Sequence, residues 1–414
     1  MNIKSTLSLV SLGCAKNAVD LQVRAGKMLK AGYRFSDDPD RAEIIIVNTC
    51  AFIASAREEA EAEIARALEL KRRGMVKRVI VTGCYPERYP KRRFEGVDEW
   101  IGVPKAWEEP QVPALRFTGK AFAYLKIAEG CAHRCAYCAI PAIRGKYRSR
   151  PLAAILKEAR ELLKTGCKEL NIVAQDPMLW REGDKTLTDL LWALDKLKGE
   201  FWIRVLYSYP SEITEDFVIW MMTAKHAVKY IDVPLQHTVP AVLEKMNRKP
   251  AIDASLSAAE ALREIMPEIT LRTTIMTGFP GETELRFKQL MGDLKRMQFD
   301  HLGAFAYSPE EGTKGAKMKS RPSSIVAEER RRLVMEQQAE IWSCLAKRML
   351  KRRYRSLVVA PGVARMESQA PEVDGVVYLE SEKGKVKGEE VGSFVEVELK
   401  CVKGFDFVGK VVKK

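Results

Sequence analysis

Residues 122–141 read "FAYLKIAEGCAHRCAYCAIP", an apolar segment that runs directly into three cysteines. The segment has the composition of a buried strand, and Cys131, Cys135 and Cys138 follow it in a C-x3-C-x2-C spacing. Three thiolates on one short loop can bind three irons of a [4Fe–4S] cube. The fourth iron then has no protein ligand and is open to another molecule. We refer to these three residues as the loop cysteines.

A zinc loop is the alternative for the same cysteines, because thiolates also bind zinc. A structural zinc site needs a fourth ligand, and the loop offers only His133, whose position inside it is awkward for a tetrahedral site. The number and the spacing of the thiolates therefore favour an iron–sulfur site over a zinc site.

The region around the loop alternates strands with helices. From about residue 119 to residue 306, six segments have strand character, and helical segments lie between most of them. Six such units predict an open or partial (β/α) barrel, since a full barrel of eight units needs about 250 residues. The six segments are "FAYLKIAEG", "KELNIVAQD", "FWIRVLYSYP", "VKYIDVPLQH", "ITLRTTIMTGFP" and "FDHLGAFAYSP".

The first 103 residues show a second alternation of this kind. The strands "TLSLVSLGC", "AEIIIVNTC" and "VKRVIVTGC" are separated by two helical stretches, which predicts an open parallel α/β sheet. Each strand ends in a cysteine, and we refer to Cys14, Cys50 and Cys84 as the strand-end cysteines. Because the carboxyl ends of parallel strands share one edge, these residues should converge.

One cysteine at a strand end would be interpreted as a buried structural thiol, because free cysteine packs as a small apolar side chain. Three at equivalent positions indicate a second iron–sulfur site with three thiolates and an open iron. The remaining residues, Cys167, Cys344 and Cys401, have no partner in this pattern. We interpret them as structural.

The rest of the chain completes a prediction of three domains. The segment "GVPKAWEEPQVP" contains three prolines and is interpreted as a linker. A long charged helix is predicted over about 323–353, ending in "KRMLKRRYR", and the short alternating strands after it predict a small β-barrel. The predicted domains are an N-terminal sheet domain (1–103), a barrel domain (119–345) and a β-barrel (350–414).

The cysteine content and the length of the apolar runs limit the class of protein. Nine cysteines in 414 residues are too few for a disulfide scaffold and are typical of metal-binding or catalytic groups in a reducing cytosol. No apolar run approaches the ~18 residues of a membrane span, and "LSLVSL" is shorter than the roughly 7–15 residues of a signal peptide core. We therefore expect a cytoplasmic protein without a membrane partner.

The net charge of +14 has two interpretations that charge alone does not separate. It would attract a polyanionic partner such as RNA or the ribosome, or it would simply belong to a basic soluble protein.

The loop "EGCAHRCAYCAIP" resembles the signature of the radical SAM superfamily. The resemblance implies that the open iron binds S-adenosylmethionine, whose reductive cleavage gives a 5′-deoxyadenosyl radical that removes hydrogen from carbon. It also implies that Tyr137 packs near the adenine. The segment "TGFPGE" (277–282) resembles a late barrel strand of that superfamily, although its glycines are equally consistent with a simple turn from strand to helix.

Four polar residues at predicted strand ends are candidates for lining the cofactor cavity: Gln175, Asp176, Gln236 and His237. We select Gln175 among them as a cofactor-binding residue. The alternative for each of the four is a helix cap or a loop residue that forms its hydrogen bonds locally.

Longer segments resemble the radical SAM methylthiotransferases almost from end to end. They are "SLGCAKNAVD", "NTCAFIASAREEA", "GCAHRCAYCAIPAIRG", "YIDVPLQH", "TGFPGETE" and the C-terminal β-domain, which resembles a TRAM domain. The resemblance implies two [4Fe–4S] clusters and two molecules of S-adenosylmethionine. The loop cysteines would hold the radical-generating cluster. The strand-end cysteines would hold an auxiliary cluster, whose open iron binds the transferred sulfur. A sulfur donor and an electron donor are implied partners.

Members of this family modify either tRNA adenosines or an aspartate of the small-subunit ribosomal protein numbered twelve. "SLGCAKN", "VAQD" and "FAYSPEEGT" resemble the branch that modifies protein, whereas tRNA enzymes more often carry Gln-Met-Asn after the first cysteine. Ala15 departs from that branch, which often has proline there. We therefore expect a methylthio group to be added to the β-carbon of that aspartate, in the free protein or in the assembled ribosome.

Charge at the C-terminus favours the same substrate. Residues 356–414 contain nine Lys or Arg and ten Asp or Glu, a net charge of −1. A nearly neutral β-barrel is poorly suited to phosphate contacts and better suited to a basic ribosomal protein. The alternative is a tRNA adenosine methylthiotransferase. The alternative from another class is a non-catalytic RNA- or ribosome-binding protein with structural metals.

Overall fold

The computed structural model describes residues 5–104, 116, 118–248, 260–380 and 390–412. The predicted linker falls mostly on residues outside these ranges.

The N-terminal region is a five-stranded, fully parallel sheet in the order β2-β1-β3-β4-β5. The three predicted strands are confirmed, and the two additional strands at the sheet edges are only two and three residues long. The strands are β1 (Thr6–Ser11), β2 (Arg34–Phe35), β3 (Ile44–Thr49), β4 (Arg78–Gly83) and β5 (Glu99–Ile101), and the helices are α1 (Ala15–Lys30), α2 (Ala54–Arg72) and α3 (Cys84–Arg88).

Strand β3 is buried at all six positions because it lies in the middle of this sheet. Both of its faces are covered, which explains its run of isoleucine and valine. Ile45 and Val47 pack against α2, and Ile44 and Ile46 belong to the cluster on the opposite face, which includes Leu21 of α1.

The central region contains the six predicted barrel strands, in two parallel three-stranded sheets. A bridge between Ile203 and Ala227 continues the first sheet toward the second, so the six strands form an open, partial barrel. The six strands are β6 (Phe122–Lys126), β9 (Glu169–Val173), β12 (Trp202–Val205), β13 (Tyr230–Asp232), β14 (Thr270–Thr277) and β15 (His301–Ala306), and the short strands between them are β7 (Ala128–Glu129), β8 (Arg148–Ser149), β10 (Arg181–Glu182) and β11 (Lys185–Thr186).

The helices of this region cover the outside of the barrel strands. Leu125, Ile172 and Ile203 point outward into the main hydrophobic core, and the alternate residues point into a lumen that contains many polar side chains. The helices with complete bounds in the described residues are α4 (Ile140–Arg144), α5 (Leu152–Lys164), α6 (Leu187–Asp195), α7 (Glu215–Thr223), α8 (Pro240–Lys245), α9 (Glu284–Met297) and α10 (Ser324–Met349).

The C-terminal region is a closed five-stranded barrel in the order β16-β17-β18-β20-β19. The predicted small β-barrel is therefore confirmed. Its core includes Val358, Met366, Leu399 and Phe407. The strands are β16 (Arg353–Ala360), β17 (Val363–Met366), β18 (Val377–Leu379), β19 (Phe394–Lys403) and β20 (Asp406–Val411).

The predicted end of the long charged helix is wrong by four residues. Helix α10 ends at Met349 rather than at 353. Lys351 takes a left-handed conformation, with φ of 64°, and its backbone N–H donates to Leu399 O at 2.8 Å. Pairing with β19 therefore redirects the chain, and the last part of "KRMLKRRYR" is a barrel strand instead of a helix end.

Buried ion pairs join the C-terminal barrel to the amino ends of the central strands. Glu169 of β9 lies between Arg204 of β12, whose Nε is 2.7 Å from its Oε1, and Arg365 of β17. Asp374 pairs with Arg272 of β14 and accepts a hydrogen bond from Tyr230. The C-terminal barrel thus closes one end of the polar lumen and uses several of its own charges to do so.

We predict that Glu169→Gln destabilises the protein, because it leaves two buried guanidinium groups without their shared counter-charge. Removing one partner of a buried ion pair costs about 3–5 kcal/mol, which should lower the urea midpoint measured by circular dichroism. The matched control is Glu398→Gln, since Glu398 pairs with Lys400 on the barrel surface. Such a surface pair is worth about 0–1 kcal/mol. Equal midpoints for the two variants would contradict this account of the interface.

Candidate active site

The strand-end cysteines lie where the sequence predicts them, at one edge of the N-terminal sheet. Cys14 is the N-cap of α1, Cys50 directly follows β3, and Cys84 is the first residue of α3. The parallel register pairs Ser11 with Asn48 and Thr49 with Gly83, so the three chain segments leave the sheet side by side. The structure therefore brings the three thiols together at the carboxyl edge of three adjacent strands.

Two glycines make this convergence possible. Gly13 and Gly83 each precede a strand-end cysteine, with φ of 89° and 101°, a region that favours glycine. A Cβ on Gly13 would lie 2.9 Å from Cys50 Cβ, and one on Gly83 would lie 2.7 Å from Thr49 O. The repeated Gly-Cys pairs in "LVSLGC" and "VIVTGC" are thus required by the close approach of neighbouring segments.

The loop cysteines lie beyond the carboxyl end of β6. Gly145 O accepts a hydrogen bond from Cys131 N at 3.3 Å, and Cys135 O accepts one from Cys138 N at 3.1 Å. Met246 O accepts another from Ala136 N at 2.8 Å, which ties the loop to the end of α8. All three cysteines are partly exposed. The loop is therefore fixed by its backbone, and none of its cysteines is fully covered by the rest of the described chain.

Most of these thiols hold their protons in the absence of a cation. Burial raises the pKa of Cys84 and of Cys138 to about 12 and that of Cys131 to about 11. Cys14 differs from these three, because the positive charges of Lys16 and Arg144 outweigh the desolvation of its thiol and lower its pKa. A metal group that binds such thiols has to displace their protons and supply the missing positive charge.

The donor set in both triplets suits an iron–sulfur cluster. In the described ranges, no three His, Cys, Asp or Glu side chains form a group that could hold a single metal ion. A [4Fe–4S] cube does not need three ligands around one ion, because each thiolate binds a different iron. His133, the fourth ligand of the zinc alternative, is held elsewhere: its Nε2 lies 2.5 Å from Asp176 Oδ2, and its ring stacks on Tyr209.

One buried arginine connects the two triplets. Arg144, six residues after Cys138 and only 4% exposed, donates from Nη2 to Cys84 Sγ at 3.2 Å. Its Nη1 donates to Asp20 of α1 at 2.6 Å and contacts Glu129 of β7 at 3.2 Å. Arg144 therefore joins the end of the cysteine loop to the N-terminal sheet through ion pairs that are shielded from water.

The network around Arg144 extends to Lys126 of β6, which pairs with both Asp20 and Glu129. Two cations and two carboxylates therefore compensate one another at this boundary. Sequence reasoning missed this network. Arg144 lies within "GCAHRCAYCAIPAIRG", but its partner Asp20 is 124 residues away and no local pattern points to it.

The predicted cofactor residues lie beside the loop cysteines. Tyr137 packs edge-on against Phe279, and its hydroxyl accepts a hydrogen bond from Arg248 at 3.2 Å. Gln175 donates to Glu129 at 3.0 Å, and its Oε1 is buried without a hydrogen-bond partner in the described part of the chain. Both positions remain predictions for cofactor contact.

The other candidates have local roles in the structure. Asp176 accepts from Met178 N and from His133. His237 Nδ1 accepts from the backbone N–H groups of Thr238 and Val239, at 3.0 and 2.9 Å, just before α8. These contacts support the alternative of a cap for His237. Gln236 takes a left-handed conformation and pairs through its backbone with β14.

"TGFPGE" forms the turn between β14 and α9. Glu282 accepts from Gly278 N at 2.9 Å and from Arg330 at 2.7 Å. The simple turn from strand to helix is therefore present.

Cys167 also has a structural contact, since its thiol donates to Glu169 O at 3.2 Å.

A second contact between domains fixes the segments next to the strand-end cysteines. Glu310, which follows β15, accepts from Ala54 N at 2.8 Å and from Arg88 Nη1 at 3.1 Å, and it pairs with Arg57. Ala54 begins α2, four residues after Cys50, and Arg88 ends α3, which starts at Cys84. One carboxylate thus holds two of the three cysteine segments against the central barrel.

Family models match the three regions of the chain. The radical SAM superfamily matches residues 125–294, the TRAM domain matches 359–412, and the uncharacterized protein family UPF0004 matches 6–102. No helix within the described ranges has the length and apolar character needed to cross a membrane.

Solved structures with a similar fold are radical SAM enzymes. The radical S-adenosylmethionine methyltransferase TsrM from Kitasatospora setae has a TM-score of 0.53 at 16% identity, covering 73% of this chain and 76% of its own. The cobalamin-dependent radical enzyme OxsB has a TM-score of 0.53 at 13% identity, covering 80% of this chain and 56% of its own. The match to the radical SAM superfamily, together with the fold and the cysteine loop, defines a radical SAM enzyme, a class that uses a [4Fe–4S] cluster and S-adenosylmethionine.

Curated relatives match the chain over nearly its full length. "Ribosomal protein uS12 methylthiotransferase RimO" of Moorella thermoacetica is 38% identical over 98% of this chain and 99% of the relative. The protein of the same name from Syntrophus aciditrophicus is 36% identical over 99% of both. This chain belongs to the RimO family of methylthiotransferases. The resemblance identified from the sequence is confirmed.

We predict that Glu310→Gln speeds amide hydrogen exchange at the start of α2 and throughout α3. The neutral side chain loses its charge-assisted bonds to Arg57 and Arg88, so these segments should open locally more often. Exchange measured by mass spectrometry should leave β9 and β12 unchanged. Glu311→Gln is the matched control, because residue 311 is exposed and Arg88 contacts only its backbone carbonyl. Unaltered exchange in α2 and α3 would contradict the role given to Glu310.

Proposed function

We propose that this protein adds a methylthio group to the β-carbon of an aspartate in ribosomal protein uS12. The observation that carries the proposal is the contact between Arg144 and Cys84 Sγ at 3.2 Å. This contact joins Cys84 to the segment that follows the loop cysteines, which supports a reaction that uses both groups of cysteines. The names of the full-length relatives support uS12 as the substrate.

The loop cysteines would hold the radical-generating [4Fe–4S] cluster. With S-adenosylmethionine bound, this cluster supplies the radical that removes hydrogen from a carbon too inert for a side-chain base. Gln175 Oε1, buried without a partner in the described residues, is available to accept a hydrogen bond from the cofactor. Tyr137 is held by Phe279 and Arg248, so it would form a rigid wall of the same pocket.

The strand-end cysteines would hold a second [4Fe–4S] cluster. Their donor set is thiolate alone, which suits iron–sulfur chemistry. Arg144 and Lys16 both lower the pKa of Cys14, and Arg144 donates to Cys84, so the protein itself supplies positive charge to an anionic group bound there. The sulfur to be transferred would bind at the open iron of this second cluster.

The proposed reaction also implies partners and a cellular location. An electron donor must supply the radical-generating cluster, and a sulfur donor must replace the sulfur that is used. A ribosomal substrate, free or in the assembled ribosome, places the protein in the cytoplasm. A tRNA substrate has less support, because Arg365, one of the cations of the C-terminal barrel, is buried in an ion pair with Glu169 instead of facing solvent.

We predict that a strain without this gene lacks a mark of about 46 Da, the mass of CH2S, on an aspartate of uS12. The measurement is mass spectrometry of small-subunit proteins and of digested tRNA from deletion and parent strains. The tRNA nucleosides should be identical in the two strains. Loss of a methylthio nucleoside with an unchanged uS12 would contradict the proposed substrate and favour the tRNA alternative.

The two-cluster assignment predicts about eight irons per chain after anaerobic reconstitution, from two four-iron cubes. The Cys14→Ala/Cys50→Ala/Cys84→Ala variant should retain about four irons and still cleave S-adenosylmethionine, because its loop cysteines are intact. The control is Cys344→Ala/Cys401→Ala, since both of these thiols are exposed and lie outside the triplets. Eight irons in the triple variant would contradict a cluster on the strand-end cysteines. Zinc in place of iron, with no cleavage, would favour the non-catalytic alternative.

A further inference from the structure

Lys16 is a buried cation without a carboxylate partner in the described part of the chain. It lies in the first turn of α1, two residues after Cys14, and is 9% exposed. Its ammonium group lies over the ring of Tyr207, 3.6 Å from the ring centroid. Lys126 and Arg144, the other buried cations near the strand-end cysteines, each pair with both Asp20 and Glu129. A buried charge is costly unless a counter-charge lies beside it.

The residues around Lys16 lie at the carboxyl ends of the barrel strands. Tyr207 lies just beyond the carboxyl end of β12 and takes a left-handed conformation, with φ of 70°. The backbone N–H of Tyr207 donates to Asp232 Oδ2 at 3.2 Å. The negative charge of Asp232 therefore attracts the ammonium group of Lys16 without forming an ion pair with it. Ligands of α/β barrels bind at the carboxyl ends of the strands.

A polar atom in the same region also lacks a partner. Ser208, the residue after Tyr207, has a buried hydroxyl that forms no hydrogen bond with the described residues. Buried polar atoms are usually hydrogen-bonded, so each such exception requires an explanation. A polar substrate group that enters the lumen beside Lys16 would provide one.

We propose that the ammonium group of Lys16 binds the carboxylate of the aspartate that is modified. This inference rests on the proposed function and assigns a substrate contact to it. A charge-assisted hydrogen bond from ammonium to carboxylate is among the stronger polar contacts in proteins. The π face of Tyr207 attracts the ammonium group, which limits its movement.

The position of Lys16 suits the chemistry of the reaction. The β-carbon of aspartate is bonded directly to the carboxylate carbon, so holding the carboxylate also positions the carbon that receives sulfur. Cys14 lies two residues from Lys16, so that carbon would be held beside the strand-end cysteines. The same contact would select aspartate over asparagine, whose neutral amide cannot compensate a buried ammonium group.

The test is a binding experiment that pairs two peptides with three variants of the reconstituted protein. The peptides span the modified site of uS12 and carry either the native aspartate or asparagine. Wild type should bind the aspartate peptide roughly 10- to 100-fold more tightly, the range expected for a hydrogen bond between charged groups. Lys16→Met should lose this preference, through weaker binding of the aspartate peptide alone. Lys16→Arg should retain it.

Lys30→Met is the matched control, because Lys30 is an exposed lysine in the last turn of the same helix. It should discriminate as wild type does. Iron content is measured for every variant, and the comparison is repeated on iron-free protein. A Lys16→Met protein that still prefers the aspartate peptide, with or without iron, would overturn the assignment, because Lys16 would then serve only the metal site. A wild type that binds neither peptide would overturn the proposed function as well.

Discussion

The buried guanidinium of Arg144 is the interaction on which the arrangement of this molecule depends. It touches Cys84 in the N-terminal sheet, Asp20 on α1 and Glu129 next to the cysteine loop. Removing one member of such a buried network leaves charges that water cannot reach, at a cost of several kcal/mol. The two α/β units are therefore held in one relative position, with their carboxyl edges facing the same region. That position would allow the two proposed clusters to act on one substrate.

The remaining parts of the fold support this arrangement from both ends of the barrel. At the carboxyl edge, Glu310 contacts the start of α2, which follows Cys50, and the end of α3, which begins at Cys84. At the opposite end, Glu169 and Asp374 bind the C-terminal barrel to the strands through buried ion pairs. The lumen between them is polar, which is unusual for a protein core and suits a cavity that receives charged ligands. The C-terminal barrel therefore contributes to the architecture of the site as well as to the surface.

Much of this architecture could be predicted from the sequence because its signals are local. Strand periodicity, the Gly-Cys strand ends and the cysteine loop each occupy fewer than ten consecutive residues, and the structure places them as predicted. The contacts that were missed join distant residues: Arg144 with Asp20, Glu310 with Ala54, and Lys16 with Tyr207. No local pattern encodes such pairs. The edge strands β2 and β5 were missed because they are too short to show periodicity.

The most direct test of the central claim is the iron and sulfide content of an Arg144→Met variant after anaerobic reconstitution. Without the guanidinium, only Lys126 would remain to compensate Asp20 and Glu129, and the excess negative charge would repel an anionic cluster at the strand-end cysteines. We predict about four irons per chain instead of about eight, with S-adenosylmethionine cleavage retained by the loop cysteines. Arg144→Lys, which keeps the charge, should recover part of the lost iron. Eight irons in Arg144→Met, with sulfur transfer to uS12 intact, would contradict the claim that Arg144 holds the two sites together.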